Sequence, residues 1–121
     1  MAHPLLQLTA DLINMPSVSF EEQAIADWFE AELRAVDGLE VTRVGDNVVA
    51  RTNLGREHRI ALGGHLDTVP VNNNATARIE DGVLYGLGAS DMKGGLAVML
   101  ELARTVTEPA VDVTYVFYAR E

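Results

Sequence analysis

The sequence predicts an α/β fold, with layered helices around a mixed, partly parallel sheet. Three observations carry that expectation. Apolar residues recur at helical spacing in three separate stretches. Between these stretches lie short runs rich in β-branched residues. Helices alternating with apolar strands favour layers and some parallel pairing, and 121 residues suffice for one hydrophobic core.

The elements follow in order. Leu5, Leu8, Leu12 and Met15 form the apolar stripe of a first helix, which Pro16 ends. Ser19 and Glu22 have the spacing of a capping box, with Glu21 and Glu22 as favourable charges in the first turn of a second helix. Ile25, Trp28, Phe29, Leu33 and Val36 give that helix its buried face. Leu39 and Val41, the turn residues 45 to 47 and the run 48 to 50 predict a hairpin. A short apolar strand is expected at 58 to 63, and Asp81-Gly82 marks a second hairpin between Ile79 and Val83. Leu96, Met99, Leu100 and Ala103 mark a third helix, and Pro109 separates it from a strand at 111 to 119.

Composition narrows the function. Nine basic against eighteen acidic residues give a net charge of -9, so the chain repels phosphate backbones and anionic membranes, and neither nucleic acid nor membrane is expected as a partner. The absence of cysteine removes disulfides and thiolate chemistry, and the expected location is the cytoplasm. The glycines of "GLGASD" do not complete a dinucleotide fingerprint, and "SDMKGG" lacks the ending of a phosphate loop. A phosphoacceptor receiver domain is disfavoured by two leading helices and by Lys93 in a loop. His3 and His58 read as surface residues, Met92 as a loop anchor and Met99 as core filler.

The unusual polar residues fall where strands end. His65 and Asp67 follow one apolar strand, Glu121 follows another, and Asp91 sits in a glycine-rich bend before a helix. In open α/β sheets the carboxyl ends of strands form the ligand crevice. Residues two apart in extended chain point the same way, so Asp67 can hold one ring nitrogen of His65 and leave the other free for a metal. The plainer alternative is a loop histidine and a turn aspartate bonded locally. Asp91 reads either as a helix N-cap or as a carboxylate bridging metal ions, with close packing that favours glycine at 86, 88, 94 and 95. Glu121 is either a solvated strand end or a proton acceptor beside a metal.

Taken together, "GGHLDTVP", "DGVLYGLGASDMKGGLAVML" and "VTYVFYARE" resemble the metal-dependent amidohydrolases that include succinyl-diaminopimelate desuccinylase, acetylornithine deacetylase, aminoacylase and the glutamate carboxypeptidases. The detail of "GLGASDMKGGLAV" and "VFYARE" is most similar to the desuccinylases. The resemblance implies the N-terminal part of a zinc-peptidase-like catalytic domain. It implies His65 and Asp91 as metal ligands, Asp67 as the residue orienting His65, Glu121 as general base, and a cis peptide after Asp91. Zn2+ is the implied cofactor, as one or two ions, with Co2+ as a substitute. The implied substrate is a small N-acyl amino acid, with N-succinyl-LL-2,6-diaminopimelate first and the substrate of an acetylornithine deacetylase or dipeptidase as the alternative. The family's second glutamate, its later ligands and its lid and dimerisation domain have no counterpart in residues 1–121, so the expectation is part of a longer, homodimeric enzyme, inactive as this piece alone.

Overall fold

The computed structural model describes residues 3–121. Helix α1 (Pro4–Ile13) starts on Pro4 at its first turn, where a missing N–H costs nothing, and His3 Nδ1 accepts from the Leu5 N–H. Helix α2 (Gln23–Arg34) follows, then strands β1 (Glu40–Val44) and β2 (Asn47–Arg51), β3 (Arg59–His65), the short pair β4 (Arg78–Glu80) and β5 (Val83–Tyr85), helix α3 (Gly94–Thr105) and β6 (Asp112–Tyr118). A π-helical turn, Ala89–Lys93, leads directly into α3.

The main sheet has the order β1-β2-β6-β3. Its β1–β2 and β2–β6 pairings are antiparallel, and β3 runs parallel to β6 with His65 opposite Tyr118. The expected mixed, partly parallel sheet is present. Period-two alternation directs Val48, Ala50, Val113, Tyr115 and Phe117 to one face, where they meet α2 and α3 in the core. Phe29 of α2 stacks on Phe117 with ring centroids 4.7 Å apart, and Trp28 packs edge-on against Phe29. Leu12 brings α1 into the same cluster.

Two sequence expectations at the start of α2 are corrected. Ser19 does not cap the helix: its hydroxyl donates to Asp67, and the N-cap position is Glu22, whose side chain makes no capping bond. Glu22 is not a solvated first-turn charge either. It is fully buried, pairs with Arg120 Nε at 2.7 Å and accepts from the Phe20 N–H. A tertiary ion pair has taken the carboxylate that local capping would have used. Lys93 is likewise buried, not in an open loop.

Buried Asp112, at the start of β6, ties down the chain that follows β2. Its carboxylate accepts from Thr52 Oγ1 at 2.6 Å and from the N–H groups of Leu54 and Arg56, both at 2.8 Å. The Thr52 hydroxyl, then the Leu54 N–H, outweigh burial and hold this carboxyl at about 2. A carboxylate depressed on folding stabilises the native state above its unfolded value, about 3.9, and that contribution disappears as pH falls through the folded value. Asp112→Asn is therefore expected to lower Tm at neutral pH by roughly 5 °C or more and to flatten the fall in Tm between about pH 4 and pH 2. Thermal melts across that range check it, and curves parallel to wild type would contradict it.

Candidate metal centre

Because β3 and β6 are parallel, their carboxyl ends share one edge of the sheet. The Leu66 N–H donates to Tyr118 O at 2.8 Å, which carries the pairing past His65. Glu121 emerges three residues beyond its strand on the same edge. His65 is the last residue of β3 itself, since the strand runs two residues further than its apolar pattern indicates.

Asp91 arrives from the π-helical turn and is not the N-cap of α3, a position held by Lys93. Three contacts set this turn. Gly88 has φ +79, and a Cβ there would come within 2.9 Å of the Thr68 methyl, so both backbone and space require glycine. Met92 lies over Gly64, where a Cβ would meet its methyl at 2.8 Å, and Met92 Sδ accepts from the His65 backbone N–H at 3.4 Å. Lys93 Nζ donates to Leu12 O at 2.7 Å and to Met15 O at 2.8 Å, at the carbonyl end of α1. Burial lowers the Lys93 amine to about 8, so it is still predominantly charged at neutral pH. The expected cis peptide between Asp91 and Met92 is present.

The side chains converge. His65 Nε2 lies 2.9 Å from Asp91 Oδ1 and 3.9 Å from Glu121 Oε1, and these ligand atoms all fall within 4.8 Å of one another. His65 Nδ1 faces only acceptors, Asp67 Oδ1 and Asp67 O at 3.0 Å each, so it carries a proton. Burial would lower the imidazole, but hydrogen bonds to Asp91 and the Asp67 backbone raise it overall. Burial would raise Asp67, yet the Ser19 hydroxyl, the Glu121 N–H and His65 hold its carboxyl below the usual range.

His65 is buried, whereas the Asp91 and Glu121 carboxylates are open to a cavity of about 610 Å3 also lined by Ser19, Thr68, Tyr85 and Ser90. One imidazole nitrogen and two carboxylate oxygens suit a divalent cation. The two distances from His65 Nε2, 2.9 and 3.9 Å, are close to the roughly 3–4 Å that ligand bonds of about 2.0–2.2 Å put between donor atoms around one ion. All four residues singled out in the sequence meet here. The sequence reading missed Ser19, Lys93 and the Glu22–Arg120 pair. The signal for Ser19 was its spacing of two from Ser17, which places both hydroxyls on one side of an extended segment.

Residues 61–121 match the model of Peptidase family M20/M25/M40. A protein of Mycobacterium tuberculosis, provisionally named succinyl-diaminopimelate desuccinylase DapE, is 54% identical over 114 residues, covering 93% of this chain and 32% of its own. The succinyl-diaminopimelate desuccinylase of Corynebacterium glutamicum is 46% identical over 119 residues, covering 94% of this chain and 32% of its own. The chain thus spans about a third of the length of the curated relatives it matches. In fold it resembles the M20 family metallo-carboxypeptidase Sso-CP2 of Sulfolobus solfataricus, with a TM-score of 0.80 at 20% identity over 97% of this chain and 31% of that one. That family match spans half of the sequence, and it shows that the chain belongs to Peptidase family M20/M25/M40.

Proposed function

We propose that the protein is a zinc-dependent amide hydrolase acting on N-succinyl-LL-2,6-diaminopimelate, which it cleaves to succinate and LL-2,6-diaminopimelate. The carrying observation is the convergence of His65 Nε2, Asp91 Oδ1 and Glu121 Oε1 in the lining of one cavity. In this reading His65 and Asp91 hold the metal, Zn2+ first and Co2+ as a substitute. Asp67 keeps the His65 ring oriented and its Nδ1 protonated, leaving Nε2 as the ligand atom. A bound divalent cation supplies Lewis acidity at the scissile carbonyl. Glu121, open to the cavity, takes a proton from the attacking water and returns it to the leaving amine.

The substrate choice is supported by the two actinobacterial relatives named for that activity, at 54% and 46% identity. Residues 1–121 are read as the N-terminal portion of a catalytic domain in a homodimeric, cytoplasmic enzyme, with further ligands and the lid and dimerisation domain contributed outside this stretch. No helix among the described residues is long and apolar enough to cross a membrane.

Parallel assays of the full-length protein on succinyl-diaminopimelate and N-acetylornithine test the reading. The expected result is a large preference in kcat/KM for the succinyl substrate, abolished by a chelator and restored by zinc. A preference for acetylornithine or a dipeptide overturns the substrate assignment, and activity indifferent to chelation overturns the metal.

A further inference from the structure

Asp67 is a junction as well as a partner for His65. Its carboxylate is buried, and its two oxygens have separate duties. Oδ1 accepts from His65 Nδ1 at 3.0 Å and from the Glu121 N–H at 3.1 Å. Oδ2 accepts from the Ser19 hydroxyl. A carboxylate is planar, so a rotation that takes Oδ2 away from Ser19 also moves Oδ1 away from both His65 and Glu121. The contact at one oxygen fixes the geometry at the other.

Ser19 is itself held firmly, 48 residues away in sequence. Its N–H donates to Thr68 O at 3.0 Å, Ser17 O accepts from the Thr68 N–H at 2.9 Å, and Ser17 Oγ donates to Leu66 O at 2.7 Å. The segment between α1 and α2 is thus laced along residues 66–68, with Val18 bridged to Thr68. A second acceptor for the Ser19 hydroxyl, Thr68 O, is 3.3 Å away. One O–H donates once, and the charged, closer acceptor is the stronger one.

We propose that Ser19 is a positioning residue of the metal centre: through Asp67 its hydroxyl sets both the orientation of the His65 ring and the backbone position of Glu121. Removing the hydroxyl leaves Asp67 Oδ2 buried without a described partner, and the carboxylate relaxes by turning or by admitting water. The effect then reaches a metal ligand and the glutamate together. The inference rests on the metal-centre reading above. Ser19 also lines the cavity, so direct contact with substrate is the competing role.

The test uses the full-length protein as wild type, Ser19→Ala, Asp67→Ala and the double variant, each checked for fold by circular dichroism. Zinc affinity is measured by competition with a chromophoric chelator. Ser19→Ala is expected to weaken zinc binding about tenfold or more, the range of effects seen for partners that orient a ligand, and to add little in the Asp67→Ala background. If Asp67→Ala does not fold, the proton NMR signal of His65 Nδ1–H in metal-free protein serves instead. It is expected to exchange with water faster in Ser19→Ala than in wild type.

Unchanged zinc affinity with a raised KM would assign Ser19 to substrate and overturn the inference. So would the same loss of affinity with and without Asp67, or an unaltered His65 signal. Failure of the underlying reading looks different: wild type would then bind zinc no better than His65→Ala.

Discussion

Glu121→Gln in the full-length protein is expected to lower kcat by about 10³-fold, within the range of a positioned general base, while zinc stays bound. That loss corresponds to about 4 kcal/mol of transition-state stabilisation. Glutamine keeps the size and a ligating oxygen of glutamate but cannot take up a proton at neutral pH. Glu121 Oε1 lies 3.9 Å from His65 Nε2 and Asp91 Oδ1 at 2.9 Å, so metal retention, not distance, separates a base from a ligand here. The Glu121 backbone is fixed by the N–H bond to Asp67 Oδ1, and the preceding Arg120 is anchored to buried Glu22 and stacked against Phe20. The carboxylate therefore projects from a held backbone into the cavity, as a base must. Single-turnover kinetics alongside metal analysis provide the check. Loss of zinc in parallel with activity would make Glu121 a ligand and remove it from the base role.

The elements were legible because their signals were local. Ile25, Phe29 and Leu33 lie on one helical face whatever surrounds them, and Asp81-Gly82 suits a tight turn by its own backbone preference, with φ positive at both residues. The convergence of His65, Asp67 and Glu121 was legible for a related reason: a strand that ends on His-x-Asp places polar groups where a sheet opens, and the parallel order of β3 and β6 brings two strand ends together. What sequence could not supply was the choice between local and distant partners. Ser19 and Glu22 satisfy every spacing rule for a capping box, yet each has a stronger acceptor or donor elsewhere in the fold, at Asp67 and Arg120. Lys93 reads as a loop residue because nothing near it in sequence accepts its protons, and the carbonyls that do are those of Leu12 in the first helix and Met15 just past its end. Pairings across dozens of residues leave no periodic trace.

Those distant pairings also shape the response of the centre to loss of its ligands. His65→Ala is expected to reduce zinc affinity of the full-length protein by more than 100-fold, beyond the 10–100-fold typical of losing a partner that only orients a ligand. It removes the only nitrogen donor of the described cluster and also leaves Asp67 buried with one fewer hydrogen bond, so some loss of stability accompanies it. Asp91→Ala distinguishes the two effects. The Asp91 side chain is 72% exposed and supports no packing, so its removal should weaken zinc binding severely while leaving the metal-free Tm within about 2 °C of wild type. Glu57→Ala, an exposed acidic residue with no place in the cluster, should change neither quantity. Zinc titrations and melts of the three variants read both axes. If Asp91→Ala bound zinc like Glu57→Ala, the short Asp91–His65 contact would be an ordinary hydrogen bond between an imidazole and a carboxylate, and the sheet edge would need another explanation for holding three ligand atoms so close.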